Sequence, residues 1–309
     1  MATVFETAPS IPNQLITERN GVRLYLKRED LLHPDVSGNK FRKLKYNIEQ
    51  AISEGQDTLL TFGGAFSNHI AATAAAGQLS GFKTIGVIRG EELGADLEET
   101  LAKNPTLKFA ASCGMKFHFV SRSEYRNKTS EVFLESLKQQ FGNFFLVPEG
   151  GTNAAAIKGC EEILSEKDVE FDIICSSVGT GGTISGLINS SAPHQKVLGF
   201  PALKGDFLKE EIRKYTSKNN WDLITNYHFG GYAKVNGELI AFMNDFRKKH
   251  NILLDPVYTG KLLFGICKLM EQGYFSENTR ILAIHTGGLQ GISGMNNYLK
   301  KKSLPQIDV

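Results

Sequence analysis

Apolar segments alternate with amphipathic segments along almost the whole chain, and this alternation restricts the possible folds more than any other feature. Apolar runs at 58–62, 84–88 and 171–176 indicate strands, whereas the spacing of apolar residues at 41–52 and 132–141 indicates helices. Alternating strands and helices with few tight hairpins are typical of parallel sheets covered by helices. The predicted fold class is therefore α/β.

Two further strands follow from the same patterns. Residues 23–29 alternate apolar and polar side chains after a short N-terminal arm, which predicts an edge strand leading into the next loop. A later apolar segment predicts a strand over 222–227. At 309 residues, the chain is long enough for two domains of ordinary size.

Glycine clusters follow the predicted strands. They occupy positions 63–64, 150–151, 179–182, 230–231 and 287–288. In α/β sheets ligands bind at the carboxyl ends of strands, where glycine allows the backbone to approach a ligand closely. All of these clusters except the one at 230–231 are expected at such ends, so the binding site is predicted there.

Lys40 is the leading candidate for a reactive side chain. It follows a glycine and an asparagine and lies on the first turn of the helix predicted at 41–52. Arg42, Lys43 and Lys45 crowd around it in the sequence, and neighbouring positive charge lowers a lysine pKa. A neutral amine is what a Schiff base requires. The same spacing also fits an ordinary solvated basic helix start.

A second candidate site is Gly179-Thr180-Gly181-Gly182-Thr183, which follows an apolar strand and opens a helix. Successive backbone N–H groups at a helix N-terminus form an anion pocket, and the two threonines add hydroxyl donors. The predicted ligand is therefore a phosphate. A dinucleotide fingerprint fails because its last glycine is replaced by Ile184, and a P-loop fails for want of a Gly-Lys-Thr ending. A purely structural turn remains the alternative.

The other candidates decide nothing when taken singly. Ser67 and Asn68 follow the 63–64 glycines and could hold a carboxylate or cofactor oxygen, although Ser67 also fits a simple helix cap. Tyr232 and Tyr258 lie in glycine- or proline-containing turns, as does Thr286 after a strand. Most tyrosines are half-buried packing residues.

Composition excludes several classes of function. The 35 basic and 33 acidic side chains leave a charge of +2 with no basic block, which argues against nucleic-acid and membrane-surface partners. The four cysteines and seven histidines show no metal-ligand spacing, so no metal site is predicted. With no signal peptide or long apolar run, we expect a soluble, cytoplasmic protein.

Taken together, the motifs resemble the pyridoxal 5'-phosphate enzymes with the tryptophan-synthase β-subunit fold, and most of all the group of D-cysteine desulfhydrase and 1-aminocyclopropane-1-carboxylate deaminase. The resemblance implies fold type II, in which two open twisted parallel-sheet domains hold the cofactor in the cleft between them. It also implies a homodimer and a small amino-acid substrate. The matching blocks keep the family order and lie at 27–30, 37–43, 67–69, 179–183, 255–261 and 285–288.

The resemblance further implies the domain limits and the cofactor site. Residues 1–42 and 150–309 correspond to the large cofactor-binding domain, and residues 43–149 to a small domain that closes over the active site. Lys40 matches the lysine that binds the cofactor covalently and later moves protons. Lys43 and the 179–183 loop match the phosphate site.

Five more positions take roles from the same resemblance. Asn68 matches the residue that hydrogen-bonds the phenolic oxygen of the cofactor, and Ser67 the residue that contacts the substrate carboxylate. Tyr232 and Tyr258 match the active-site tyrosines, which are expected to orient the substrate or handle the leaving group. Thr286 lies where the cofactor ring nitrogen is expected.

Two threonines suggest which activity the chain has. Cyclopropane deaminases of this family typically carry Glu and Leu where this chain has Thr259 and Thr286, which is similar to the desulfhydrase pattern. A hydroxyl cannot supply the charge that would keep the ring nitrogen protonated, so a modest electron sink suited to β-elimination is predicted. D-cysteine is the expected substrate, giving pyruvate, ammonia and hydrogen sulfide. The alternatives are cyclopropane-carboxylate deamination and a pyridoxal-phosphate-binding protein that has lost catalysis.

Overall fold

The computed structural model describes residues 4–5, 9–205 and 207–309, which form ten strands and twelve α-helices. The strands are β1 (Asn13–Arg19), β2 (Val22–Lys27), β3 (Thr58–Gly64), β4 (Lys83–Arg89), β5 (Lys116–Val120), β6 (Phe145–Val147), β7 (Ile173–Val178), β8 (Lys196–Pro201), β9 (Trp221–Leu223) and β10 (Arg280–Ile284). The helices are α1 (Asn39–Ser53), α2 (Asn68–Ser80), α3 (Leu97–Lys103), α4 (Pro105–Ser112), α5 (Arg122–Arg126), α6 (Glu131–Phe141), α7 (Ala154–Glu161), α8 (Gly182–Ser190), α9 (Phe207–Arg213), α10 (Gly237–His250), α11 (Thr259–Glu271) and α12 (Gly291–Lys301).

The strands form two separate sheets, and nearly all of their pairings are parallel. The larger sheet has the order β1-β2-β10-β7-β8-β9, and the smaller has the order β5-β4-β3-β6. Only the β1–β2 pairing is antiparallel. The predicted α/β class with two parallel sheets is therefore confirmed.

The prediction that residues 23–29 form an edge strand is wrong. The strand β2 lies inside the sheet, between β10 on one side and β1 on the other. A two-residue turn of Asn20 and Gly21, both with positive φ, folds β1 back onto β2. An Asn-Gly pair between alternating segments is a strong hairpin signal, and the sequence reasoning overlooked it.

The strand predicted over 222–227 ends early. It stops at Leu223, and a short 3-10 turn covers Thr225–Tyr227. Its neighbour β8 ends at Pro201, which has no N–H to continue the ladder. The sequence also predicts a helix over 206–215, and a helix is observed over Phe207–Arg213, while Asp206 lies outside the described residues.

Helix α1 forms where its apolar spacing predicts. Phe41, Leu44 and Ile48 point to one side and pack with Leu59 of β3 and Phe145 of β6 in a cluster next to the smaller sheet. This packing fixes the direction of the helix and therefore the position of its first turn. The predicted domain boundary at 42–43 falls inside this helix, and the domain division stays a prediction.

A buried ion pair joins the first and later parts of the larger sheet. The Lys27 ammonium at the end of β2 lies 2.9 Å from the Asp168 carboxylate, and the exposed fractions of these side chains are only 6% and 1%. Asn13 also donates to this carboxylate at 2.7 Å.

Among the described helices, none is long and apolar enough to cross a membrane.

We predict that Lys27→Met lowers the free energy of unfolding by about 3 kcal/mol, because the Asp168 charge would stay buried without its partner. Chemical denaturation followed by circular dichroism measures this change. Lys83→Met is the matched control, since Lys83 forms a 2.8 Å pair with Asp57 whose side chains are 76% and 67% exposed. It should change stability little. Equal losses in the two variants would contradict the role given to burial.

Candidate active site

A cavity of about 770 Å³ lies at the carboxyl ends of strands from both sheets. The loops after β3, β6, β7 and β10 all contribute to its wall, and each of them carries one of the glycine clusters. The cluster at 230–231 instead follows the short turn at Thr225–Tyr227. The predicted location of the site at the strand ends is thus where the structure has its large cavity.

Lys40 lies on the first turn of α1 and lines the cavity. Its Nζ donates a hydrogen bond to the backbone oxygen of Gly150 at 3.0 Å. Burial and then the positive charge of Lys43 lower the pKa of Lys40 well below its usual value. This shift favours the neutral form of the amine, which a nucleophilic lysine requires.

The sequence prediction named the wrong main cause for this pKa shift. Burial contributes most, and of the three nearby cations only Lys43 contributes. Arg42 turns away to a carboxylate oxygen of Glu29 at 2.9 Å. Lys45 binds Glu162 at 2.8 Å. Both charges are neutralised locally, so they do not act on Lys40.

Lys43 is buried beside the loop that opens helix α8. Its Nζ donates to the Gly150 backbone oxygen at 3.1 Å and to Thr152 Oγ1 at 3.0 Å. Thr152 in turn shares a 2.6 Å hydrogen bond with Thr180 of the loop. Every partner of this ammonium is neutral, so its charge stays available for an anion. Burial lowers the pKa of Lys43, which an anionic ligand would counteract.

The 179–183 loop has the shape of an anion pocket. Gly181 adopts a left-handed conformation (φ +87) directly before helix α8 begins at Gly182. A Cβ on Gly182 would lie 3.1 Å from Lys43 Nζ and 2.8 Å from Thr152 Oγ1. Asn39 donates to Thr183 Oγ1 at 2.8 Å, which ties the loop to the start of α1. Backbone N–H groups, a helix N-terminus and a lysine thus meet in one place.

Ser67 caps helix α2, as its position predicts. Its Oγ accepts hydrogen bonds from the backbone N–H of His69 at 3.2 Å and of Ile70 at 3.4 Å. The cap reading of the sequence is therefore confirmed, and the substrate contact stays a prediction. Both Ser67 and Asn68 line the cavity.

His69 is almost fully buried beneath the cavity. Its Nε2 lies 2.7 Å from Thr61 Oγ1. Burial, followed by the charges of Lys40 and Lys43, lowers the pKa of His69 well below its usual value. The ring is therefore neutral at physiological pH, and it adds no third positive charge beside the two lysines.

Tyr232 and Tyr258 are brought together although they are distant in sequence. Their ring centroids are 6.3 Å apart, and both rings line the cavity. Tyr258 packs on the glycine loop, since a Cβ on Gly179 would lie 3.1 Å from its ring. Burial, with smaller effects from Tyr232 and Asp255, raises the pKa of Tyr258 well above its usual value. Its hydroxyl therefore stays protonated and can donate.

The two threonines from which the activity was predicted occupy different positions. Thr286 lines the cavity, with its Oγ1 3.4 Å from the hydroxyl of Ser177. Thr259 is fully buried, and its hydroxyl accepts a hydrogen bond from the Asp255 backbone N–H at 2.8 Å. Thr259 does not line the cavity itself, and its hydroxyl contacts the cavity residue Asp255.

Asp255 is a cavity residue to which the sequence reasoning assigned no role. One of its carboxylate oxygens accepts hydrogen bonds from the backbone N–H groups of Tyr258 and Thr259, which fixes the turn before α11. Burial raises the pKa of Asp255 to about 7. The signal was available, because Asp255 is followed by a proline, which is typical of a turn, and an aspartate side chain in a turn often accepts hydrogen bonds from backbone N–H groups a few residues later.

Three buried polar atoms at the cavity have no hydrogen-bond partner among the described residues. They are Asn68 Oδ1, His69 Nδ1 and Asp255 Oδ2. Buried polar groups in proteins almost always have partners, so these atoms indicate a polar ligand. Together with Lys40 and the anion pocket at Gly182, they fit a phosphorylated aldehyde such as pyridoxal phosphate. In the described part of the chain, no group of three His, Cys, Asp or Glu side chains could hold a metal ion.

The chain resembles known proteins over nearly its full length. A family model described as "Pyridoxal-phosphate dependent enzyme" matches residues 5–287. A putative 1-aminocyclopropane-1-carboxylate deaminase from Pyrococcus abyssi is 31% identical over 298 residues, covering 90% of this chain and 88% of that protein. The mitochondrial bifunctional D-cysteine desulfhydrase/1-aminocyclopropane-1-carboxylate deaminase of Arabidopsis thaliana is 32% identical, covering 88% and 74%. A crystal structure of an ACC deaminase homologue, 27% identical, has a TM-score of 0.73 and covers 94% of this chain and 96% of that chain. The predicted fold and family resemblance are confirmed.

We predict that Gly182→Ala weakens pyridoxal-phosphate binding about tenfold, because the added methyl would crowd Lys43 and Thr152 in the anion pocket. Equilibrium titration of the cofactor-free protein by absorbance measures the dissociation constant. Gly237→Ala is the matched control, since it also changes the first residue of a helix but has open space around it. Equal affinities in the two variants would contradict the assignment of the pocket.

A second prediction concerns pH. Because Asp255 has a pKa of about 7 when folded and aspartate titrates near ~4 when unfolded, the folded protein binds more protons between these values. This contribution to stability is complete below the lower pKa and declines as pH rises to about 7. Asp255→Asn keeps an oxygen for the Tyr258 turn but cannot titrate.

The test is denaturant unfolding of both cofactor-free proteins at a series of pH values. The stability of the wild type relative to Asp255→Asn should fall as pH rises through this range. Parallel pH dependence of the two proteins would show that Asp255 is not perturbed by burial.

Proposed function

The chain belongs to the family of pyridoxal-phosphate dependent enzymes, and we propose that it is a lyase that performs β-elimination on a small amino acid, in the manner of D-cysteine desulfhydrase. The observation that carries this proposal is the cavity wall at Thr286, where two neutral hydroxyls, those of Thr286 and Ser177, lie together. The name of the Arabidopsis thaliana relative, which includes both activities, supports the same class of reaction.

The cofactor site in this proposal uses the residues around α1. Lys40 binds the cofactor covalently through its desolvated amine, and Lys43 with the 179–183 loop binds the phosphate. Asn68, whose buried Oδ1 has no partner among the described residues, faces the cofactor. When bound, pyridoxal phosphate supplies an electron sink that stabilises negative charge at the substrate Cα.

The substrate is positioned and deprotonated by the neighbouring side chains. Ser67 and the N-terminus of α2 bind the substrate carboxylate, since a helix N-terminus favours an anion. Lys40 takes the Cα proton, which its lowered pKa permits near neutral pH. Tyr232 and Tyr258 hold their hydroxyl protons and donate a hydrogen bond to the departing thiolate.

In this proposal Thr259 and Thr286 together favour β-elimination over opening of a cyclopropane. Neither hydroxyl carries a charge, so neither favours a protonated ring nitrogen, and the electron sink stays modest. Loss of a thiolate from Cβ needs little more than Cα deprotonation, whereas opening a cyclopropane breaks a carbon–carbon bond. D-cysteine and water would therefore yield pyruvate, ammonia and hydrogen sulfide.

Deamination of 1-aminocyclopropane-1-carboxylate is the second candidate, and the name of the Pyrococcus abyssi relative favours it. A pyridoxal-phosphate-binding protein without catalysis is a third possibility, which an intact set of polar cavity residues disfavours. The resemblance to the family also supports a homodimer, a cytoplasmic location and the two-domain division at 1–42 with 150–309 and 43–149, which we include in the proposal.

The decisive experiment is ammonia release by the cofactor-loaded protein with D-cysteine, L-cysteine and 1-aminocyclopropane-1-carboxylate. We expect turnover of D-cysteine only, and loss of both turnover and the bound-cofactor absorbance in Lys40→Ala. Faster turnover of the cyclopropane would replace the proposed activity with the second candidate. An active Lys40→Ala protein would refute the assigned role of the lysine.

A further inference from the structure

Arg89 is a cation of the cavity wall that the proposed reaction leaves unused. It is the last residue of β4 and pairs in register with Gly64 of β3, one short turn before Ser67. A Cβ on Gly64 would lie 3.6 Å from a terminal nitrogen of the guanidinium, and both residues line the cavity. Among the described residues, no carboxylate forms an ion pair with it.

The guanidinium lies on a fixed aromatic platform. It is 5.6 Å from the ring centroid of Tyr125, a side chain that is only 4% exposed. The Tyr125 hydroxyl donates to Glu149 at 2.8 Å, and its ring meets Phe62 edge to face. Stacking on an aromatic face limits the freedom of an arginine side chain and keeps its donors oriented.

Glu149, the acidic side chain bonded to this platform, is already paired. It lies 3.1 Å from the ammonium of Lys128 and also accepts the Tyr125 hydrogen bond. In the part of the chain that the structure describes, Glu149 forms no ion pair with Arg89. A guanidinium on a rigid platform, facing a cavity and lacking a counter-ion in the described chain, is suited to binding an anion of the substrate.

The other anions of the reaction already have separate binding groups. Lys43 and the 179–183 loop serve the phosphate, and Ser67 with the N-terminus of α2 serves the α-carboxylate. Arg89 lines the same cavity and has no role in binding either of these two groups, so it is left for a further anionic group of the substrate.

We propose that Arg89 forms a subsite for a negatively charged group carried by the β-substituent of the substrate. The preferred substrates are then amino acids whose leaving thiol bears a carboxylate, of which S-carboxymethyl-D-cysteine is the simplest. This inference rests on the proposed β-elimination and narrows its substrate class.

The reaction balances without any further reagent. The Cβ–S bond breaks and its electron pair leaves with sulfur, while Lys40 takes the Cα proton. Sulfur is released as mercaptoacetate after gaining a proton. With one water molecule, the remaining three-carbon unit yields pyruvate and ammonia. No oxidant or reductant is consumed, as in the D-cysteine reaction.

The test compares two substrates of similar size, S-carboxymethyl-D-cysteine and its neutral amide S-carbamoylmethyl-D-cysteine, in the cofactor-loaded enzyme. Arg89→Gln should raise KM for the charged substrate about tenfold or more, as expected for a lost charge-assisted hydrogen bond, and should leave KM for the neutral one nearly unchanged. Arg126→Gln, an exposed arginine of α5 outside the cavity lining, is the matched control. It should change neither value.

Two outcomes would overturn the proposal. An equal rise of KM for both substrates would mean that Arg89 binds the α-carboxylate or shapes the fold. An equal effect of Lys234→Gln, which removes another cation of the cavity lining, would mean general attraction rather than a subsite. A charge exchange adds a positive test, because Arg89→Glu should improve S-(2-aminoethyl)-D-cysteine over the wild type.

Failure of the proposed function can be recognised separately. If the wild type turns over neither D-cysteine nor the two S-substituted amino acids, the β-elimination is refuted. Calorimetric dissociation constants for the same two ligands then still decide the subsite. Tighter binding of the charged ligand that disappears in Arg89→Gln supports it, and equal binding refutes it.

Discussion

The contact between Gly38 and the loop after β10 is the constraint on which the site depends. Gly38 has φ +62, and a Cβ there would lie 2.0 Å from the backbone oxygen of Thr286. The Asn39 N–H donates to the same oxygen at 3.3 Å. Helix α1 therefore starts directly on the end of a strand of the larger sheet, while its apolar side packs with the smaller sheet. This arrangement brings Lys40 and Thr286 to one cavity.

The cationic side chains of α1 point in two directions. Arg42 and Lys45 turn to the carboxylates of Glu29 and Glu162, whereas Lys40 and Lys43 turn to backbone and hydroxyl oxygens inside the cavity. An acidic partner inside would have held both lysines charged and cancelled their pull on an anion. The neutral partners instead leave both amines without an opposing charge, which is what the proposed roles of Lys40 as a base and Lys43 as a phosphate ligand require.

The sequence predicted the elements whose signals are local. The strands predicted at 58–62 and 84–88 and the helix predicted at 41–52 follow from periodicity, and they agree with β3, β4 and α1 to within about two residues at each end. The position of β2 inside the sheet depends on pairing with β1 and β10, which periodicity does not contain. The pKa of Lys40 depends on burial by distant segments. The Asp255 oxygen that has no partner among the described residues lies near Gly288, in the loop after β10. Neither is visible in the order of residues alone.

Substitutions at Thr286 and at Thr259 are expected to have different structural consequences. Thr286 faces the cavity, so another side chain there alters the wall and leaves the core intact. Thr259 is fully buried against the Asp255 backbone, and a carboxylate placed there would lie beside a second buried carboxyl whose pKa is already about 7. Two such groups cannot both ionise at close range, so one of them would hold a proton. A change at 259 therefore acts on the site by resetting the charge of Asp255, and it needs adjustment of that turn, whereas a change at 286 acts on the ligand directly.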